Sequence, residues 1–392
     1  MNENSLQPTE KSPVQAAPEK ISHLFFIDHL RAALVILVVL HHVAIVYGEG
    51  VSFWYVEPPD KESLSYLLGL FFVLFNQAWF MGALFLLAGY FTPGSFDRKG
   101  SGSFLKDRLL RLGIPLILWI FVLSPISAIG LFLEPNPRIQ APLTWGSFWQ
   151  IYPEFIGLGI AWFLALLLIF SFGYAAWRML NRNRTSSSVS ESSLPSYLGI
   201  GIFILVLALV SYLVRVIIPI GRTVLDFPTL AYLPQYLSFF VIGIIAYPRN
   251  WFRTIPGSMG IVGFVIALVA TIFLFAVAFF GGLSGEFLGY GQWQSAVYTL
   301  WDSIFAVGMS LAAITFFRRF FNKDSRFGRF LSQQSYGVYV IHPPIIVFLA
   351  FALSGIVPGA FLKFGLLTVI VVPTCFAIAY IIRKIPGVSR VL

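Results

Sequence analysis

Apolar residues in this chain fall into ten long blocks, near residues 27–47, 66–92, 109–133, 155–179, 197–219, 231–248, 257–281, 293–317, 335–355 and 360–384. Each comes near the ~20 residues an α-helix needs to cross a bilayer. None shows the short alternating segments of a membrane β-barrel strand. Backbone in hydrocarbon must satisfy its own hydrogen bonds, so each block is predicted to be a transmembrane helix. Residues 1–22 are rich in Ser, Pro, Gln, Glu and Ala and contain no apolar run, which predicts a disordered cytoplasmic tail rather than a signal peptide. Residues 23–392 are expected to form one ten-helix transmembrane domain, with the Thr185–Ser193 tract as a flexible cytoplasmic linker. No repeat of helix length is evident, which disfavours the inverted-repeat transporter folds.

Composition agrees with that pattern. The chain is 58% hydrophobic and 11% charged, against about 25% charged in soluble domains. It lacks the polar surface to face water all round, so the expected fold class is an all-α polytopic membrane protein. Charge then orients it. Twenty of the 26 Lys and Arg residues fall in one alternating set of loops and helix ends, including Arg98, Lys99, Arg178, Arg318 and Arg383. The opposite set holds Lys61, Arg138, Arg215, Arg222 and Lys363. The positive-inside rule therefore predicts both termini in the cytoplasm. The net charge of +9 is read as this loop bias and not as a nucleic-acid surface. The single cysteine, Cys375, rules out an internal disulfide and a cysteine metal cluster. Aromatic residues of the outer loops, such as Trp54, Trp145 and Trp149, suit a membrane-interface belt better than a sugar-stacking surface.

Ionisable residues inside spans are expensive and are read as functional by default. In the first block, His42 follows Arg31 by eleven residues. At ~100° per residue this returns it to within about 20° of Arg31, some 16 Å further along the axis, with Asp28 on the same side and expected to line the same cavity. His42 lies past mid-membrane, where a neutral imidazole can act as general base; a histidine satisfied by a neighbouring helix is the plainer reading. His41 points ~100° away and is not expected in the same pocket. Arg108 and Arg111 share a face at the cytoplasmic mouth of the third block, as bidentate phosphate recognition would require and as positive-inside anchoring would also produce. Ser335, Tyr339 and His342 share a face of the ninth block, read as the polar lining of a cavity, with Pro343 and Pro344 freeing backbone carbonyls just beyond. Asp302 is the carboxylate well inside a span. It could orient His42 in a His–acid pair or serve an outer-loop arginine. Glu154, before Trp162, is a weaker candidate.

These residues resemble a known pattern. Phe26-Ile27-Asp28 through His42, with ten residues between Arg31 and His42, is similar to the signature first helix of the acyltransferase 3 family of membrane O-acyltransferases. Arg108-x-x-Arg111 followed by Pro115 resembles that family's paired-arginine segment. Trp162-Phe163-Leu164 resembles its fourth-helix motif, although the histidine that often begins that motif is not supplied by Gly159 or Ile160. Leu331 to Pro344 resembles its Ser-Tyr…Tyr-x-x-His segment. The similarity runs over nearly the whole chain from about residue 22, and the overall pattern resembles the branch that includes the glucan succinyltransferases.

The resemblance implies transfer of an acyl group from a cytoplasmic donor, an acyl-CoA, to a hydroxyl of an extracytoplasmic carbohydrate, in a bacterial cytoplasmic membrane. His42 would be the essential histidine, and Arg31, Arg108 and Arg111 would handle the donor. No bound cofactor or metal is implied. Donor, glycan or lipid acceptor, membrane lipids and other envelope-glycan enzymes are the implied partners. The imidazole could activate the acceptor directly or itself be acylated. A proton-coupled transporter or flippase of a glycan or lipid, using Arg31, Asp302 and His42 as its proton path, is the competing reading.

Overall fold

The computed structural model describes residues 23–48, 53–57, 64–181, 194–228, 230–281, 285–356 and 359–392. The expected tail, the Thr185–Ser193 tract and Lys61 lie outside the described residues. All ten apolar blocks are found as helices: α1 Phe25–Val46, α2 Leu64–Lys99, α3 Ser101–Leu133, α4 Trp162–Leu180, α5 Tyr197–Ile217, α6 Leu233–Ala246, α7 Gly257–Gly281, α8 Trp293–Phe320, α9 Arg326–Leu353 and α10 Ala360–Arg383. Nine have the length and apolar composition to cross a membrane; α6, with 14 residues, is shorter. No strand occurs among the described residues. The chain is therefore an all-α, multi-pass membrane protein.

The short α6 still spans the bundle. Arg215, at the end of α5, donates to the carbonyl of Ala231 just before α6. Arg318, at the far end of α8, donates to the carbonyls of Phe252 and Ile255 just after it. The alternation of poles predicted from the loop charges is thus kept through α6. Small residues make the short crossing possible. A Cβ on Gly243 would lie 2.7 Å from the Tyr90 amide nitrogen, and one on Gly89 would lie 2.9 Å from the Phe240 carbonyl carbon. Backbone meets backbone here, the packing that drives helix association where lipid removes a hydrophobic difference. Gly243→Val should therefore separate α6 from α2, lowering the melting temperature in detergent, because backbone cannot yield as a side-chain tip could.

α1 is apolar all round apart from its few ionisable groups and is enclosed by α2, α8, α9 and α10. A helix of that kind belongs in the interior. α5 and α7, in contrast, turn most of their side chains outward to lipid.

α3 carries two π-turns, Leu109–Gly113 and Trp119–Leu123, each followed closely by a proline, Pro115 and Pro125. Proline brings no N–H to the carbonyl four residues earlier. Those carbonyls belong to Arg111 and Phe121, and each accepts from a tyrosine hydroxyl instead, Tyr336 and Tyr152 respectively. The first of these bonds ties the paired-arginine segment to α9.

Candidate functional site

At the arginine-rich pole, three cations gather around the first turns of α9. Arg31 Nη2 donates to Ser332 Oγ at 2.8 Å and pairs with Asp28 at 3.1 Å. Tyr336, one turn after Ser332, donates to the backbone of Arg111. The Arg111 guanidinium pairs with Asp107 at 3.1 Å, and Asp107 also meets Lys99 at 2.8 Å. Arg108 lies over the Phe104 ring at 4.9 Å, and its Nε is buried without a partner. Both guanidiniums fold back over the residue four before their own, as side chains on a helix lean toward its N-terminus. The side chains of Arg31 and Arg111 are 41% and 54% exposed, so they reach solution and could meet an anion there. Asp28 belongs to this cluster and pairs with Arg31 and His23; it does not border the cavity it was expected to line.

The opposite end of α1 borders a cavity of about 510 Å³. Its inner wall is Val38, His41, His42, Ile160, Trp162 and Tyr339, and its outer wall is Phe53, Trp54, Glu154, Asp226 and Tyr232. His41 shares it, contrary to the expectation from a 100° separation. A concave space that wraps the end of a helix admits neighbouring side chains, and the two imidazoles stand edge to face at 5.5 Å. The Phe53–Glu57 segment roofs the histidines. Phe53 stacks on His42 at 5.5 Å, Arg138 donates to the Phe53 carbonyl, and Glu134 accepts the Val56 N–H at 3.0 Å while pairing with Arg138 at 2.6 Å. Trp54 passes against Gly159, whose φ is +42° and whose Cβ would lie 2.8 Å from the indole. A histidine at that position would displace Trp54. Trp162 stacks on Tyr236 at 5.2 Å, and Tyr339 donates to the Ile160 carbonyl at 2.5 Å.

The partner of His42 differs from the expected one. Asp302 Oδ2 is taken by Arg215 at 2.7 Å, with both side chains buried. Among the described residues the carboxylate bonds Arg215 and His42 bonds Val38 and His342, so Asp302 does not orient His42, and no hydrogen bond links Arg31, Asp302 and His42 into a proton path. His342 stands in that place: its Nε2 lies 3.1 Å from His42 Nδ1. It backs His42 and does not line the cavity. Ser335, also expected at the lining, is buried with its hydroxyl on the Leu331 carbonyl.

The two clusters are not joined. None of Arg31, Arg108 or Arg111 borders the cavity, whose floor stops at Val38 and Tyr339. At the levels of α1 and α9 between them lie Leu34, Val35, Ser335 and Val338, all buried. Sequence reasoning missed His41, Arg138, Asp226 and Gln77, which all line the cavity, and Glu134, which pairs with Arg138. Only the outer-loop charges gave any signal, and their spacing along the chain says nothing of their convergence. Among the described residues no group of three or more His, Cys, Asp or Glu side chains could hold a metal ion.

An interior histidine between an aromatic cavity at one pole and arginines at the other defines a membrane-embedded group-transfer protein more readily than a channel. Comparison with known proteins gives the class a name. A family model described as "Acyltransferase domain" matches residues 24–382, and the chain belongs to that family, acyltransferase 3. It is an acyltransferase of groups other than amino-acyl groups. Similar curated proteins include "Glucans biosynthesis protein C" of Escherichia coli O1:K1, 23% identical over 358 residues, covering 86% of this chain and 84% of that one. The protein of the same name from Escherichia coli O157:H7 is 22% identical over 353 residues, with the same coverage. No solved structure matches the chain.

Proposed function

We propose that this protein moves an acyl group from a cytoplasmic acyl-CoA-type thioester to a hydroxyl of a carbohydrate on the other side of a bacterial cytoplasmic membrane. The observation that carries the reading is His42 at the floor of a cavity walled by aromatic rings and carboxylates. Aromatic faces accept the apolar face of a sugar ring, and Glu154 and Asp226 can accept its hydroxyl protons in hydrogen bonds. The names of the similar proteins, which refer to glucans, point the same way. The guanidiniums at the other pole suit the phosphates of a nucleotide-bearing donor.

The chemistry then follows. His42 takes the proton of the acceptor hydroxyl, whose oxygen forms a bond to the thioester carbonyl carbon. The carbon–sulfur bond breaks, and the thiolate leaves with the proton returned by His42. Arg31, Arg108 and Arg111 keep the donor's anionic end at the cytoplasmic mouth, about 16 Å from the imidazole along α1. The layer of Leu34, Val35, Ser335 and Val338 closes the way in this conformation, so the donor's thioester arm must part it. That closure separates water and acceptor from the donor until both are bound.

The test is purified protein in liposomes, with labelled acyl-CoA on one side and oligoglucan on the other. Label should appear on the glucan; movement of unmodified glycan without acylation would support a transporter instead. In the same assay Arg31→Lys should raise the donor KM by roughly tenfold, since an ammonium cannot make the planar bidentate contact. An unchanged KM would leave Arg31 as a simple charge anchor.

A further inference from the structure

We infer that His342 and Pro343 are positioning residues that hold His42 in the tautomer a general base needs, taking the place usually filled by a carboxylate. The inference rests on the reading of His42 as the base and goes beyond it to how the ring is set. His342 Nδ1 lies 2.8 Å from the Tyr339 carbonyl oxygen and 3.3 Å from that of Val338. A carbonyl only accepts, so Nδ1 carries the hydrogen, and in the neutral ring Nε2 keeps its lone pair. That lone pair faces His42 Nδ1 at 3.1 Å, and the same His42 nitrogen lies 2.9 Å from the Val38 carbonyl. Both neighbours are acceptors. His42 Nδ1 therefore carries the hydrogen, shared between them, and Nε2 is left as the bare, basic nitrogen. The opposite assignment would set a ring lone pair against carbonyl oxygen on each histidine at once.

The start of this relay is a proline. In an α-helix the Tyr339 carbonyl would accept the N–H of residue 343, but Pro343 has none. The carbonyl stays open to the His342 ring. Here the proline acts by what it does not donate. No anion is required: when His42 Nε2 takes a proton, the resulting cation is met at Nδ1 by the Val38 oxygen and the His342 lone pair. Among the described residues the titratable side chains facing this pair are His41, whose ring stands 5.5 Å from that of His42, and Tyr339, whose ring stands 6.1 Å from that of His342.

The experiment uses the full chain in lipid nanodiscs with 15N-labelled histidine, its five histidines assigned by single substitution. His42 and His342 should both report hydrogen on Nδ1. Pro343→Ala restores a competing N–H to Tyr339 and also removes a helix-breaking residue, so it should fold at least as well. It should nevertheless move His342 toward the Nε2–H form and lower kcat by roughly tenfold or more, with the donor KM held. His342→Gln, whose amide oxygen still accepts from His42, should keep more activity than His342→Leu. Hydrogen on His42 Nε2 in the unmodified protein, or a Pro343→Ala variant unchanged in both spectrum and kcat, would overturn the inference. Full acylation by a folded His42→Ala variant would instead remove the reading of His42 as base and leave the tautomer result standing, so the two failures are separable.

Discussion

His42→Ala should yield a protein that folds and inserts normally yet transfers acyl groups at least ~10²- to 10⁴-fold more slowly, the range a positioned general base supplies. Stability should change little, because His42 borders a cavity and its loss leaves water able to reach His342 Nε2. That lost hydrogen bond costs on the order of 1 kcal/mol. His41→Ala is the useful contrast. His41 is buried, with its ring packed on Phe80 at 4.9 Å and its Nδ1 without a partner. Its truncation should lower the melting temperature more than that of His42 and lower the rate less. The measurements are initial rates of labelled acyl transfer and thermal unfolding in detergent for both variants. Wild-type rates from a folded His42→Ala protein would remove the proposed chemistry altogether.

The largest stability effect is expected at Arg215 and Asp302. Their side chains are 1% and 2% exposed and meet at 2.7 Å. Thr299 Oγ1 accepts from the guanidinium at 3.0 Å, and the rings of Tyr232 and Tyr298 lie 4.6 and 5.5 Å from it. Asp302→Ala leaves a cation buried without its counter-ion, a change worth about 3–5 kcal/mol in other proteins. Arg215→Met should do comparable harm by stranding the carboxylate. The double variant Arg215→Met with Asp302→Leu should recover much of the loss, since removing both charges removes the stranded one. Folded yield and melting temperature report this. An Asp302→Ala protein that melts normally but has lost transfer would mean that the carboxylate serves His42 after all, contrary to the contacts it makes.

The two predictions mark where reading along the chain succeeds and where it stops. Block lengths and loop charges predicted ten helices and their alternation, and α6 keeps to that pattern even though its 14 residues fall short of a usual span. The period of one helix put Arg31 and His42 on a common side of α1, because both belong to the same rigid element. The Pro343 effect was partly legible too: a proline frees a carbonyl wherever it stands, but which ring takes that carbonyl depends on a rotamer. Nothing comparable is available between helices. Asp302 was the expected partner of His42 and His342 a lining residue, until packing brought His342 of α9 to His42 and Arg215 of α5 to Asp302. His41 was excluded by an angle that is correct for a helix and irrelevant to a cavity curving around its end.

The amino-acid sequence alone determined membrane residence, helix number, the charged pole and the residue types capable of transfer chemistry, because these follow from local composition and a fixed helical repeat. Tertiary structure alone decided which ring sets His42, that Arg215 takes Asp302, and that a layer closes between arginines and cavity. Those choices turn on which faces of separate helices meet, and in lipid that is settled by close packing and interhelical hydrogen bonds rather than by hydrophobic pattern.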